Sequence, residues 1–225
     1  MDRNNFYVAI IGRDTMDPRI YTTISTARLV PIVVVHNEKR AIGLGKALLA
    51  GGLPIAEVTF RTPAAAASIR AMREEVPDLI VGAGTVITTD QVDDAVAAGA
   101  SFIFTPGLNP RVVQYCIERS IPIVPGVNSP TTVEAAMEFG LDVLKFFPAE
   151  ASGGVAFLNA LAGPYLNVKF IPTGGITPSN LRAYLTLQNV CACGGSWMVH
   201  PAMIEAEDFE VISRLTREAV QLAAA

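Results

Sequence analysis

The sequence predicts an α/β protein folded as a (β/α)8 TIM barrel, and three observations predict it. Eight short apolar runs alternate with amphipathic helical patterns at a spacing of about 20–25 residues. Most of the runs are apolar throughout, as strands covered on both faces are. Polar residues and glycines gather where the runs end, the edge at which such barrels carry chemistry. An open doubly wound sheet is the alternative, but the first run lacks the glycine fingerprint that fold uses.

Residues 1–29 read as an N-terminal extension and 30–225 as the barrel. Within the extension, Pro18–Leu29 reads as a helix closing the barrel's bottom. The first strand, Val30–Val35, leads into a helix over Glu38–Ala50 that stops at Gly51. Strand two, Ile55–Phe60, precedes a helix over Pro63–Glu75, with Thr62 as its candidate cap and proline at its first position. Leu79–Gly84 and the helix Thr89–Ala98, stopped by Gly99, form the third unit. The fourth is Phe102–Pro106 with Pro110–Arg119, capped by Asn109. The fifth is Ile121–Gly126 with Pro130–Phe139, capped by Ser129 and stopped by Gly140. Val143–Phe147 with Gly154–Ala162, and Val168–Thr173 with Pro178–Leu187 after Thr177, make units six and seven. Val190–Gly194 is the eighth strand, and a last helix covers Asp208–Leu222. No linker, low-complexity stretch or charge block marks a second domain.

Composition excludes several functions. Hydrophobic residues make up 51 % of the chain and charged residues 17 %, so a large core is available and disorder is not expected. The net charge of −4 comes without a basic patch, which argues against a nucleic-acid partner. No apolar stretch reaches the roughly 18 residues of a membrane helix, so no membrane partner is expected. The apolar run Phe6–Ile11 is shorter than a signal-peptide core. A cytoplasmic protein is the expectation. Cys116, Cys191 and Cys193 are an odd number and read as small buried hydrophobes rather than a disulfide framework. Cys191 and Cys193 alternate on one strand face, but His36 and His200 form no cluster with them, so no metal site is expected.

Lys145 carries the most information. It is one of four lysines and lies within Val143-Leu144-Lys145-Phe146-Phe147-Pro148. An ammonium group is costly to desolvate, so a lysine inside a buried-strand pattern needs an account. It is either half of a structural ion pair or an amine whose burial favours the free base that attacks a carbonyl. Glu57, inside strand two, is nearly as costly to bury. Period-two geometry puts Ile55, Glu57, Thr59 and Arg61 on one face. If that face is the barrel interior, Glu57 and Lys145 converge across it. The bland reading is an ion pair that fixes register. The strand-end threonines and the nearby arginine favour a ligand site.

Arg61 offers a bidentate grip on a carboxylate, or caps the rim. Thr85 and Thr173 end strands three and seven, where a hydroxyl orients a substrate or caps a turn. Gly174-Gly175 and Gly194-Gly195-Ser196 follow strands seven and eight. Such turns expose backbone N–H groups, and a phosphate site belongs in that position of a barrel.

Taken together, these stretches resemble the 2-keto-3-deoxy-6-phosphogluconate (KDPG) aldolase and 4-hydroxy-2-oxoglutarate aldolase family. The resemblance rests on Glu57-Val-Thr-Phe-Arg61-Thr62, Val81-Gly-Ala-Gly-Thr85, Pro106-Gly107, Leu144-Lys145-Phe-Phe-Pro-Ala-Glu150, Pro172-Thr-Gly-Gly-Ile176 and Gly194-Gly-Ser-Trp197. It implies a metal-independent class I aldolase, without a cofactor, on a barrel that assembles as a homotrimer. Lys145 then matches the Schiff-base lysine and Glu57 the general acid/base. Arg61 and Thr85 match the carboxylate end of pyruvate, and Pro106 a pocket wall. Thr173 matches a position near the substrate hydroxyls. Gly174, Gly175, Gly195 and Ser196 match the phosphate end. Thr105, Phe60 and Ser129 depart from residues common in the family, and the N-terminal extension is longer than expected. Substrate preference between gluconate-type and galactonate-type epimers stays open. A sugar-phosphate epimerase or isomerase, or a non-catalytic sugar-phosphate sensor, are the competing readings. The first wants histidine clusters the chain lacks, and the second has no need of a buried amine.

Overall fold

Strand and helix alternate along the chain as the two periodicities predict. The computed structural model describes residues 18–224. The Phe6–Ile11 run and the first part of the extension lie outside the described residues.

The strands are β1 Leu29–Val33, β2 Ile55–Thr59, β3 Ile80–Gly84, β4 Ile103–Phe104, β5 Ile123–Val124, β6 Gly126–Val127, β7 Val143–Phe146, β8 Lys169–Pro172 and β9 Cys193–Gly195. The helices are α1 Pro18–Ala27, α2 Ala41–Ala50, α3 Ala65–Glu75, α4 Thr89–Ala97, α5 Pro110–Glu118, α6 Pro130–Glu138, α7 Gly154–Leu161, α8 Leu181–Leu185, α9 Pro201–Glu205 and α10 Phe209–Ala224. All strand pairs are parallel. One sheet runs β5-β4-β3-β2-β1-β9, the other β6-β7-β8. Isolated bridges, Phe170 with Val190 and Thr173 with Gly194, place the end of β8 beside the chain entering β9. The architecture is α/β and barrel-like.

The run Ile121–Gly126 is not one strand, and here the expectation is corrected. Pro125 divides it into β5 and β6, because proline has no N–H to give to a ladder. Its carbonyl still accepts from the Lys145 N–H at 2.9 Å, so the two sheets stay in step at that point. Two expected helices are also shorter. Thr62 does not cap α3: its buried hydroxyl donates to the Val35 carbonyl at 2.5 Å, tying the end of strand two to strand one, and the helix starts at Ala65. Thr177 likewise caps nothing. Its N–H donates to Asn180 Oδ1 at 2.8 Å, and the helix proper begins at Leu181. Asn109 and Ser129 are caps as expected, and Ser129 forms a reciprocal capping box with Thr132. Helix α9, opened by Pro201, was not expected.

The core follows from the apolar runs. Phe102, Phe104, Phe146, Phe170, Leu48 and Ile55 are fully buried, each contributing about 1.5–3 kcal/mol of hydrophobic stabilisation. Helix α10 lies outside the sheet with Ile212, Thr216, Ala219 and Ala223 turned inward, and α1 buries Ile20 and Ile24. At the junction of α1 and β1, Arg28 donates to the carbonyls of Leu185 at 2.5 Å and Ala223 at 3.3 Å. A cation thus sits at the C-terminal ends of two helices, where it is favoured. No helix among the described residues is long and apolar enough to cross a membrane.

Candidate active site

Glu57 sits mid-strand in β2, opposite Ile32 of β1 and Gly82 of β3. Lys145 sits in β7, opposite Gly126 and Ile171. These strands belong to different sheets, yet Lys145 Nζ lies 2.9 Å from Glu57 Oε1. The convergence that period-two geometry suggested is therefore observed. Glu57 is 0 % exposed and Lys145 3 %. The rings of Phe104 and Phe147 flank Nζ, each 5.6 Å away at its centroid.

The pocket around the carboxylate depends on Gly84. A Cβ there would lie 2.0 Å from Glu57 Oε1 and 2.5 Å from its Cγ, so any side chain at 84 would evict Glu57. Glu57 Oε2 is buried and makes no hydrogen bond among the described residues. Leaving such an acceptor unpaired costs about 1–3 kcal/mol, a cost a purely structural ion pair has no reason to carry. One oxygen holds the amine and the other is spare. That arrangement can pass a proton between the amine and a third group.

The other expected residues lie at strand ends. Arg61 is exposed in the turn after β2 and makes no ion pair or hydrogen bond among the described residues. Thr59, on the same face by sequence, donates instead to the Val33 carbonyl at 2.9 Å. Thr85 follows β3 with φ of 58°. A β-branched residue in the left-handed region costs about 1–3 kcal/mol, and such strain concentrates at functional sites. The preceding Gly84 carbonyl accepts from Phe60 N–H at 2.7 Å, and the following Val86 N–H donates to Phe104 at 3.3 Å, which holds Thr85 in place. Pro106 lies in the turn after β4. The Thr105 hydroxyl, buried beside it, donates to the Gly107 carbonyl at 2.7 Å and accepts from Gly126 N–H at 3.2 Å. Thr105 thus fixes the Pro106 turn, a role its sequence position did not disclose.

Thr173 is buried, with its hydroxyl 3.3 Å from the Ile171 carbonyl, and Gly194 leaves the space it occupies: a Cβ at 194 would lie 2.3 Å from Oγ1. Thr173 accepts at its carbonyl from Ala149 N–H at 2.8 Å, joining the turn after β8 to the loop after Lys145. Gly174 and Gly175 have φ of 99° and 83°. The N–H groups of Gly175 and of exposed Ser196 have no hydrogen-bond partner among the described residues, whereas the Thr173–Gly194 bridge turns the Gly174 N–H toward the Gly194 carbonyl. Gly195 packs under the Trp197 ring, where a Cβ would come within 2.0 Å. Lys145 and Glu57 touch directly, and Thr173, Gly174, Gly175 and Gly194 are brought together against the chain that follows Lys145. No hydrogen bond or ion pair links Arg61, Thr85 or Ser196 to the Lys145–Glu57 pair.

The cysteines are outside this group. Burial pushes the Cys116 and Cys191 thiols up to about 12, and Cys193 further in the same direction. They are poor nucleophiles at neutral pH. Among the described residues no group of three or more His, Cys, Asp or Glu side chains could hold a metal ion.

The comparisons with known proteins bear on the family and the fold. The aldolase profile described as KDPG and KHG aldolase matches residues 20–215. A 2-dehydro-3-deoxy-phosphogluconate aldolase of Treponema pallidum is 47 % identical over 90 % of this chain and 97 % of its own length. A KHG/KDPG aldolase of Escherichia coli is 46 % identical over 88 % of this chain and 93 % of its own. Among solved structures, a Legionella pneumophila KDPG aldolase with pyruvate captured as a covalent carbinolamine superposes with a TM-score of 0.86 at 38 % identity, covering 88 % of this chain and 97 % of that one. A buried lysine–carboxylate pair within the strands, in a chain whose residues 20–215 match the family, leaves one conclusion: this protein belongs to the KDPG and KHG aldolase family.

Proposed function

We propose that this protein is a class I aldolase that cleaves KDPG reversibly to pyruvate and glyceraldehyde 3-phosphate through a Schiff base on Lys145. The observation that carries the reading is the buried 2.9 Å contact between Lys145 Nζ and Glu57 Oε1, with Oε2 unused. The names of its relatives support the substrate, and that of the Escherichia coli relative supports 4-hydroxy-2-oxoglutarate as a second one. The galactonate-type epimer is the alternative substrate at C4.

In this mechanism the contact carries a proton from Nζ to Glu57, which frees the amine. Nζ attacks the C2 keto carbon and gives a carbinolamine. Glu57 gives its proton to the carbinolamine hydroxyl, which leaves as water, so that an iminium and an ionised Glu57 remain. The iminium draws electrons as a metal would in a class II aldolase, so the reaction calls for no metal or cofactor. Glu57, directly or through one water, takes the proton of the C4 hydroxyl. The C3–C4 bond breaks, its electron pair moves into the enamine, and glyceraldehyde 3-phosphate leaves. Glu57 returns a proton to C3, and hydrolysis releases pyruvate and restores the amine. Low local polarity around Phe104 and Phe147 strengthens these charge interactions. In the same reading Arg61 and Thr85 hold the carboxylate end, Pro106 walls the pocket, Thr173 meets the hydroxyls, and Gly174, Gly175, Gly195 and Ser196 receive the phosphate. The Arg61 guanidinium and the Gly175 N–H, neither with a partner among the described residues, support those assignments.

The two sheets are read as one (β/α)8 ring spanning 30–225 as a single domain, with residues 1–29 as an extension, in a cytoplasmic homotrimer. The β8–β9 bridges and the Pro125 carbonyl bond support the ring. Borohydride reduction in the presence of pyruvate, followed by peptide mass analysis, tests the chemistry. A reduced pyruvyl adduct on Lys145 is expected, together with loss of cleavage in Lys145→Ala. A folded protein without an adduct there would overturn the mechanism.

A further inference from the structure

Two residues 34 positions apart hold the Gly174-Gly175 turn from one side. Glu150 lies in the loop after β7, and Tyr184 lies on α8. Tyr184 is fully buried, and its hydroxyl donates to Glu150 Oε1. The stem of Glu150 lies against Gly175, where a Cβ would come within 2.5 Å of Glu150 Cγ. The same pair borders Gly154, where a Cβ would lie 3.1 Å from Tyr184 Oη and 3.2 Å from Glu150 Oε1. The backbone adds Glu150 N–H to the Gly174 carbonyl at 3.1 Å. From the other side, Asn180 Nδ2 donates to the Gly175 carbonyl at 2.9 Å.

Two consecutive glycines with positive φ have many conformations open to them, so contacts from outside must select one. Selection matters because the turn carries the N–H of Gly175, which has no partner among the described residues, next to the Gly174 N–H that the Thr173–Gly194 bridge turns toward the Gly194 carbonyl. A carboxylate beside an incoming phosphate also repels it unless something else engages it. Burial first, and the Glu150 carboxylate next, push the Tyr184 hydroxyl well above its ordinary pKa, so it remains a donor across the neutral range.

We propose, on the basis of the aldolase reading above, that Tyr184 and Glu150 are positioning residues for the phosphate end of the substrate. Their hydrogen bond keeps Glu150 packed on Gly175, and it engages the carboxylate with a buried donor instead of leaving it free beside an anion. The glycine turn then presents its N–H groups in one arrangement, coupled to the loop that follows Lys145.

The test compares Tyr184→Phe, Glu150→Ala and Glu150→Gln with wild type. KM and kcat are measured for KDPG and for unphosphorylated 4-hydroxy-2-oxoglutarate, and inorganic phosphate binding is titrated by calorimetry without turnover. Tyr184→Phe and Glu150→Ala are expected to raise KM for KDPG about tenfold and to weaken phosphate by a similar factor, with kcat and the unphosphorylated KM little changed. Glu150→Gln keeps an acceptor for the hydroxyl and should behave like wild type. Equal effects on both substrates, or unchanged phosphate affinity, would overturn the proposal, as would a wild-type protein that binds no phosphate. Glu150 is exposed, so its variants keep the test open if Tyr184→Phe fails to fold. Pyruvate trapping on Lys145 is run beside each variant. A wild-type protein that binds phosphate but is not trapped loses the aldolase reading, and the titration still decides the brace.

Discussion

Lys145 and Glu57 show how two side chains that are each costly to bury become tolerable together. Each alone would be an uncompensated charge among Phe104, Phe147 and the strand backbones. Together they satisfy one oxygen and leave the other spare, which separates a working pair from a staple. If the spare oxygen moves a proton in the transition state, Glu57→Gln should lower kcat by about 10²–10⁴-fold while KM changes far less. Steady-state kinetics on KDPG checks this, and an unchanged kcat would remove Glu57 from the chemistry. Lys145 was legible in the sequence because its neighbours are apolar and the chain has few lysines. Thr85 was legible only as a strand-end hydroxyl. Its left-handed backbone is a property of the bonds on either side of it. Glu150 entered only as the end of the Leu144–Glu150 stretch, with no role, and Tyr184 gave no signal, since an exposed loop carboxylate and a helical tyrosine are ordinary in isolation.

At the scale of elements, local chemistry decided some boundaries and long-range bonds decided others. The Ser129–Thr132 box opens α6 where the sequence places it, because both partners lie within one turn. Ser129→Ala should cost about 1 kcal/mol in urea unfolding, and Thr132→Ala should add little to it in the double variant, since each removes the same reciprocal pair. Additive losses would mean that the two act independently. Thr62 looks like a cap by the same rule but donates across to Val35. No rule based on neighbours in sequence can see that acceptor, so the start of α3 was misplaced. Pro125 is the opposite case. Its missing N–H was visible in the sequence, but the split into β5 and β6 follows only once both of its neighbouring strands are known.

At the scale of the whole molecule, stability and the site share one core. The Cys116 thiol, raised by burial from an ordinary value of 9.0 to about 12, favours the folded state while it stays protonated. A raised folded pKa makes that contribution full below the unfolded value and loses it as pH climbs through the folded one. The urea midpoint should therefore fall as pH rises from about 9 towards 12, and Cys116→Ala should flatten part of that slope. An identical slope in the variant would show that other groups carry it.

The sequence by itself determined the alternation of strand and helix, the polar edge of the strands, the family, and the two costly side chains at its centre. All of these are written in periodicity, caps or motifs within a few residues of one another. Tertiary structure alone decided the distance between Lys145 and Glu57, the interruption at Pro125, the strain at Thr85 and the brace that joins Glu150 to Tyr184. Each depends on groups from segments far apart in the chain, and only the packing of the shared core sets how closely those segments approach.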